Sequence, residues 1–504
     1  MKRFKFVLLS LLAVTLVVSM AGCGGGSTQQ SSAPKDSVTI AIPSEPSTLD
    51  AQYADDGNMR DVTDNVVESL LQLNGQTMKV EPSLAVSYSQ TGATTWDFKL
   101  RPGVKFSNGD PFTADDVVYS VERQISPALK SNIAGNFDTI KSAQKVNDNE
   151  VTITTTGPDL NIPQKISLLK ILDQKWMQAN PTAVNTSTII GTGPYTIVKW
   201  DRAQDIVLAR NDSYWGPKPA IKTVTFRFIE EDATREAALN SGEVDMAVNM
   251  LPEYVPSLPK VITSEGIESG MVRFNAMSGV FKDPKVRLAA IYAVDDAALV
   301  KSLYQGYAKV SNPMLQKSGY IGYDGNLQPY PYDLNKAKQL LAASGYKGQQ
   351  VQLVGESGRW LKDGELVQTV GQMLTQAGFN VSVKTLAFSD WLTILFDRSK
   401  APDMIFTFHS ADTYDVDRTL STYVESTGPG SAYPNTLDKA IDQARTEIDP
   451  SKQQSEYDAI SQTLYNDPAW IPLVSIDSIY GVQKNVQYKP RLDGVIDLTA
   501  VSLQ

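Results

Sequence analysis

One cysteine and one histidine in 504 residues leave most nucleophilic and metal chemistry without its usual side chains. The two are Cys23 and His409. A single cysteine excludes an internal disulfide, so the fold has to be held by its core. Zinc sites built from clustered histidine and cysteine are excluded as well. A Ser-His-Asp or Cys-His nucleophile would depend on His409 alone, and no Gly-x-Ser-x-Gly elbow is present. No glycine precedes Lys-Ser/Thr at the spacing of a phosphate-binding loop. Carboxylate-pair chemistry stays open with 56 acidic residues, although acids in such number normally form a solvated surface. We therefore expect no enzyme activity, no metal and no cofactor. Long apolar runs are scarce too, and after the first twenty residues none is apolar enough to span a bilayer.

Positive charge is in deficit. The formal charge is −10, and −13 without residues 1–22, which carry Lys2, Arg3 and Lys5 and no acid. An acidic surface argues for solubility and against nucleic acid or anionic lipid as the main partner. The hydrophobic fraction of 42% and the charged fraction of 20% are those of an ordinary globular protein. A chain of this length exceeds the size at which single cores stop growing, so two or three domains are expected.

The amino-terminal segment is the clearest feature. A basic start is followed by an apolar run over residues 6–18 and then by small residues, the layout of a secretory signal peptide over residues 1–22. Met20-Ala21-Gly22-Cys23 resembles a bacterial lipobox, which implies cleavage before Cys23 and a lipid on its sulfur. The Gly/Ser/Gln-rich stretch within residues 23–36 reads as a flexible leash.

Downstream, Val38, Ile40 and Ile42 alternate with polar residues as in a strand. Val62, Val66, Val67, Leu70 and Leu71 fall at helical spacing, which predicts a helix over residues 59–73. Trp96, Phe98 and Leu100 predict a strand, and Thr113 with Asp116 predicts a capped helix start. Strands are also expected over residues 150–156, 195–200, 205–209 and 224–228. Asp232 to Gly242 reads as a capped helix with a glycine stop, and Asp283-Pro284 as another helix start. From Asp333 the rhythm becomes regular, with helices over 334–344, 365–376 and 389–396 alternating with strands over 351–354, 381–386 and 404–408. Such alternation predicts a parallel, doubly wound sheet.

Several blocks then combine. Pro46-Ser47-Thr48-Leu49-Asp50, Trp96-Asp97-Phe98-Lys99-Leu100-Arg101-Pro102-Gly103, Gly191-Thr192-Gly193-Pro194-Tyr195, Arg210-Asn211-Asp212-Ser213-Tyr214-Trp215-Gly216 and Asp467-Pro468-Ala469-Trp470 occur in order over some four hundred residues. In that order they resemble the extracellular solute-binding proteins of the dipeptide, oligopeptide and nickel uptake family, the capture subunits of ABC importers. The resemblance implies an α/β, two-lobed periplasmic-binding-protein fold (type II, large three-domain variety) with a hinge of crossing strands and a central ligand cleft. It implies a first lobe from residues 37–72, 190–272 and 479–504, a domain inserted at 73–189, and a second lobe over 273–478. Implied partners are a peptide or other small solute and the membrane subunits of an ABC permease. A monomer is implied, held by its lipid at the outer face of the cytoplasmic membrane. Gly191, Gly193 and Pro194 read as a tight turn at a domain junction, and Tyr214 and Trp215 as packing.

Aligning Asp415-Val416-Asp417 with the family's Asp-Pro-Asp places Asp412 on the aspartate that holds a peptide amine. His409 stands where peptide binders tend to carry Trp, so it is a candidate ligand contact and equally a hydrogen-bonded packing residue. Arg359, after Glu356-Ser357-Gly358, falls where dipeptide binders place an arginine for the ligand carboxylate, with Trp360 as a cleft wall. The same scaffold also suits a nickel chelate, an opine or an oligosaccharide. From other classes, a surface hydrolase or an adhesin remains the rival.

The anchor has a direct test. Cys23→Ala should release the mature protein from membrane fractions and leave its thermal unfolding unchanged, since every packed segment lies downstream. An Ala variant that sediments with membranes as fully as the parent would refute lipid anchoring.

Overall fold

Residues 36–53, 57–357, 359–411 and 413–504 are described by a computed structural model; Cys23 and Asp412 lie outside the described residues. The regular alternation foreseen from Asp333 onward is present. Strands Gln350–Glu356, Asn380–Leu386 and Met404–His409 form a parallel set, joined through helices Asp363–Gln376 and Phe388–Leu395. Leu366, Val367, Val370 and Leu374 recur on one helical face and are buried against this set.

The parallel set is one edge of a larger mixed sheet of eleven strands among the described residues, one of which, Ala308–Val310, pairs off the main order with Trp470–Val482. Beyond Met404–His409 come two long antiparallel strands, Lys260–Phe274 and Trp470–Val482, then Met246–Ala247, Ser37–Ile42, Thr223–Phe228, Asp205–Arg210 and Tyr195–Asp201. A doubly wound parallel sheet was too simple an expectation. Strands distant in sequence supply the antiparallel middle, and no local periodicity announces that pairing.

Four buried clusters dominate. One gathers Ile40, Phe226, Leu208, Tyr195 and Tyr480 around the Ser37–Ile42 side of the sheet. Two flank the other side, with Phe274, Leu353, Val370 and Phe406 in one and Trp391, Leu420, Tyr457 and Trp470 in the other. The fourth belongs to a separate antiparallel sheet in the order Ala85–Gly92, Thr95–Leu100, Glu150–Thr155, Ile140–Asn147. It packs Phe98, Val117, Val121 and Ile153. Asp116 serves the helix Ala114–Ile125 as foreseen, accepting the Thr113 backbone N–H at 2.9 Å.

The expected helix over residues 59–73 is a correction. Only Gly57–Thr63 is helical, and Leu71–Leu73 is a strand. Remote segments take the carbonyls that a continuing helix would use. The Asn65 carbonyl accepts Tyr195 N–H, Val66 accepts Gly193, Glu68 accepts Ile171, and Leu70 accepts Ala85, at 2.8–3.0 Å. Val66, Val67, Leu70 and Leu71 are fully buried, so their apolar spacing records burial on every side and not one helical face. The glycines at 191 and 193 make this docking possible. A β-carbon on Gly191 would lie 1.9 Å from the Val66 carbonyl oxygen. The tight turn foreseen there is a close backbone contact.

The two long strands pair in two stretches. Lys260 to Glu265 runs against Val482 to Asp477, and Ser269 to Arg273 against Ser475 to Trp470, with the ladder broken between. Gly266 sits in the break, where a β-carbon would come within 2.2 Å of the Ile476 carbonyl oxygen. Interior bulges concentrate twist and bending in a strand.

Gly266→Ala should therefore destabilise the fold by about 1–3 kcal/mol, the usual cost of forcing atoms into a filled space. Gly57→Ala, with nothing within 4 Å of the added carbon, is the control. Urea midpoints should fall for the first and hold for the second; equal midpoints would show that the break is not sterically closed.

Candidate functional site

Leu353 lies beside Met404 and Val354 beside Ile405 in the parallel register, so Glu356 and His409 emerge at the same carboxyl edge. Ligands in α/β sheets bind outside the carboxyl ends of parallel strands. The chain leaves Glu356 and, past the turn at residues 359–362, enters helix Asp363–Gln376. The Asp363 carboxylate holds that turn by accepting the backbone N–H groups of Arg359 and Trp360, both at 2.9 Å.

This turn sets the side chains. The Trp360 indole N–H donates to Glu356 Oε1 at 3.1 Å, and its ring lies 5.5 Å from that of Phe408. The Arg359 guanidinium sits 4.7 Å from the Trp360 ring centroid, a cation–π contact that braces a solvent-exposed charge. Glu356 itself is fully buried. Burial pushes its carboxyl up to about 7, with Arg359 opposing the shift and Asp363 adding to it.

His409 is 8% exposed and shares a 2.9 Å hydrogen bond between Nε2 and Thr419 Oγ1. Its ring meets the Tyr423 ring edge-on at 5.1 Å. Burial, with help from the Arg418 charge, pushes the imidazole down to about 3, so it is neutral at physiological pH. His409 thus makes a hydrogen bond and a ring contact within the fold. No group of three or more His, Cys, Asp or Glu side chains is placed to hold a metal among the described residues.

The neighbouring motif is scaffold where it is described. Asp415 caps helix Val416–Tyr423 by accepting the Arg418 N–H at 2.8 Å. The two Asp417 carboxylate oxygens share the single Arg445 Nε–H, at 3.1 and 3.0 Å. Just before them, Ala411 and Tyr414 pack in one cluster with Tyr320, Ile267, Leu73 and Met78. Asn161 reaches Asp415 Oδ2 at 3.2 Å. Leu73 and Met78 thus share a core with Ala411 and Tyr414, and Asn161 touches Asp415 directly. Tyr214 and Trp215, foreseen as packing, both donate to the Glu68 carboxylate, at 3.0 and 2.8 Å, which Thr192 also caps at 2.7 Å.

The structure brings Arg359, Trp360 and His409 to one edge, linked through Phe408. Asp412 follows His409 by three residues in sequence. Sequence reasoning passed over Glu356, Phe408, Thr419 and Tyr423. Glu356 carried one signal: an acid closing an apolar strand, where burial of a charge demands a reason.

The model of the bacterial extracellular solute-binding proteins, family 5, matches residues 79–431. The chain belongs to that family. Its members are the solute-binding components of ABC importers, which bind small solutes outside the cytoplasm. Among curated relatives is the glutathione-binding protein GsiB of Shigella flexneri serotype 5b, 27% identical over 477 residues that cover 90% of this chain and 91% of that protein. Among solved structures, Helicobacter pylori DppA in complex with the peptide STSA is 25% identical with a TM-score of 0.77, covering 93% of this chain and 98% of its own. Campylobacter jejuni NikZ in complex with Ni(L-His) shares the fold at 24% identity and a TM-score of 0.78, covering 93% and 100%. The type II periplasmic-binding-protein architecture is thereby shown.

His409 offers a clean measurement because it is the sole histidine. Its ring protons should not titrate by NMR between pH 5 and 8. Its folded value lies below the unfolded one, so the unfolded chain binds a proton that the folded chain refuses. Its contribution to stability is therefore full above about 6.5 and lost as pH falls towards 3. His409→Gln should flatten stability across that window. A ring titrating with a midpoint near 6.5 would place the imidazole in solvent instead.

Proposed function

We propose that this chain captures short peptides outside the cytoplasmic membrane, held there by a lipid on Cys23, and delivers them to an ABC permease. The observation that carries the reading is the braced guanidinium of Arg359 at the carboxyl edge of the parallel strands, one strand away from His409. A planar fork is suited to a ligand carboxylate. In this reading Arg359 takes the peptide carboxylate, Trp360 walls the cleft, His409 lines it as a neutral group, and Asp412 takes the amine. Binding between two lobes joined by Lys260–Phe274 and Trp470–Val482 gives the carrier a way to close on its cargo.

Glutathione is the first ligand to try. GsiB, similar along nearly the whole chain, is named for it. It is tripeptide-sized, with one amine and two carboxylates. The pairing of both ligand ends to fixed charges then selects by length, since neither charge can follow a ligand of different span.

Calorimetry decides the matter. Asp412→Ala and Arg359→Ala should each weaken binding of glutathione or a free tripeptide at least tenfold, because losing one partner of a buried charge pair costs about 2–5 kcal/mol. N-acetylation should mimic the first change, and C-terminal amidation the second, and each matched pair should cost less than its sum. Equal affinity for free and doubly blocked peptides would refute the terminal-charge mechanism.

A further inference from the structure

Resting on the peptide reading, we propose that Glu356 is a specificity-determining residue that acts as a neutral acid. Its Oε2–H donates a hydrogen bond to the ligand carboxylate held by Arg359, so that binding takes up a proton.

The geometry requires some such partner. Glu356 is fully buried, and its Oε1 is occupied by the Trp360 indole N–H at 3.1 Å. Its Oε2 is also buried and has no hydrogen-bond partner among the described residues. An ionised oxygen left in that position bears the full cost of desolvation, whereas a protonated one becomes a donor in need of an acceptor. Glu356 ends the strand that leads towards Arg359, whose charge acts on its carboxyl, so an acceptor gripped by that guanidinium is the partner we assign to it.

Burial, more than the surrounding charges, favours the neutral form. Asp363, at the start of the next helix, opposes ionisation of Glu356, while Arg359 supports it. Across the site the facing titratable group is Tyr423, itself beside Arg273 and Arg418. His409 is neutral. With the carboxyl at about 7 in the free protein, an arriving ligand carboxylate is a second negative charge, which raises it further. Two carboxylates side by side then share one proton.

The sign follows. Protonation is stronger in the complex than in the free protein, so affinity is full below pH 7. It falls as pH rises above 7, by at most about tenfold per unit. A ligand with an amide in place of the carboxylate needs no such proton.

Isothermal titration of glutathione at pH 6, 7 and 8, in two buffers of different ionisation enthalpy, tests this. The wild type should lose several-fold in affinity between pH 7 and 8 and take up close to one proton at pH 8. Glu356→Gln, which keeps a donor and cannot ionise, should remove that slope and the uptake. A C-terminally amidated tripeptide should show a weaker slope on the wild type, a readout that does not depend on the variant folding. Parallel slopes for the two proteins, or for free and amidated peptides, would overturn the role of Glu356 while leaving peptide capture intact. If neither glutathione nor any tripeptide binds at any pH, the peptide reading fails and this inference falls with it.

Discussion

Everything in this molecule hangs on the antiparallel pairing of Lys260–Phe274 with Trp470–Val482. One half of that ladder joins the parallel strands that carry Glu356 and His409. The other half joins Met246–Ala247 and, through it, Ser37–Ile42 and its neighbours. One sheet thus links one core to another. The longer of its two irregularities, at Gly266, is where bending costs least, because the residues between Glu265 and Ser269 have left the ladder. A single sheet with a local weakness suits the rigid-body closure that the proposed capture of a solute would use.

Charge burial shapes the site built on that frame. The polar groups that face inward are few, and each has a defined partner or a defined cost. His409 is held neutral by burial and bonded to Thr419. Asp363 organises the turn that carries Arg359 and Trp360. Glu356, at the end of its strand, is left with a buried oxygen in want of a partner. Unsatisfied polar atoms are rare in native interiors, and they concentrate where a ligand completes the set.

Family membership agrees with this physical picture and narrows it to solute capture. It does not choose the solute, because the fold serves several chemistries and function lives in the site. In the proposed reading the choice rests on a few side chains, above all the charge and protonation of Glu356, Arg359 and Asp412.

Much of the local structure was legible in the chain. Alternating Val38, Ile40 and Ile42 form the strand they suggested, and Asp283-Pro284 begins helix Pro284–Ala293, with Asp283 capping it. Gly242 ends its helix in the left-handed conformation that glycine tolerates best. The rhythm after Asp333 yielded the parallel strands, and the order of motif blocks led to the family. These features depend on neighbours in sequence, where period and capping act. Tertiary structure alone decided the fate of residues 64–73, whose carbonyls are claimed by chain segments as far away as Tyr195. It also decided the antiparallel centre of the sheet, and the meeting of Glu356 with Trp360, Phe408 and Tyr423. Hydrogen-bond partners a hundred residues apart leave no periodic trace, and a carboxyl group is buried or solvated only by what the rest of the fold places around it.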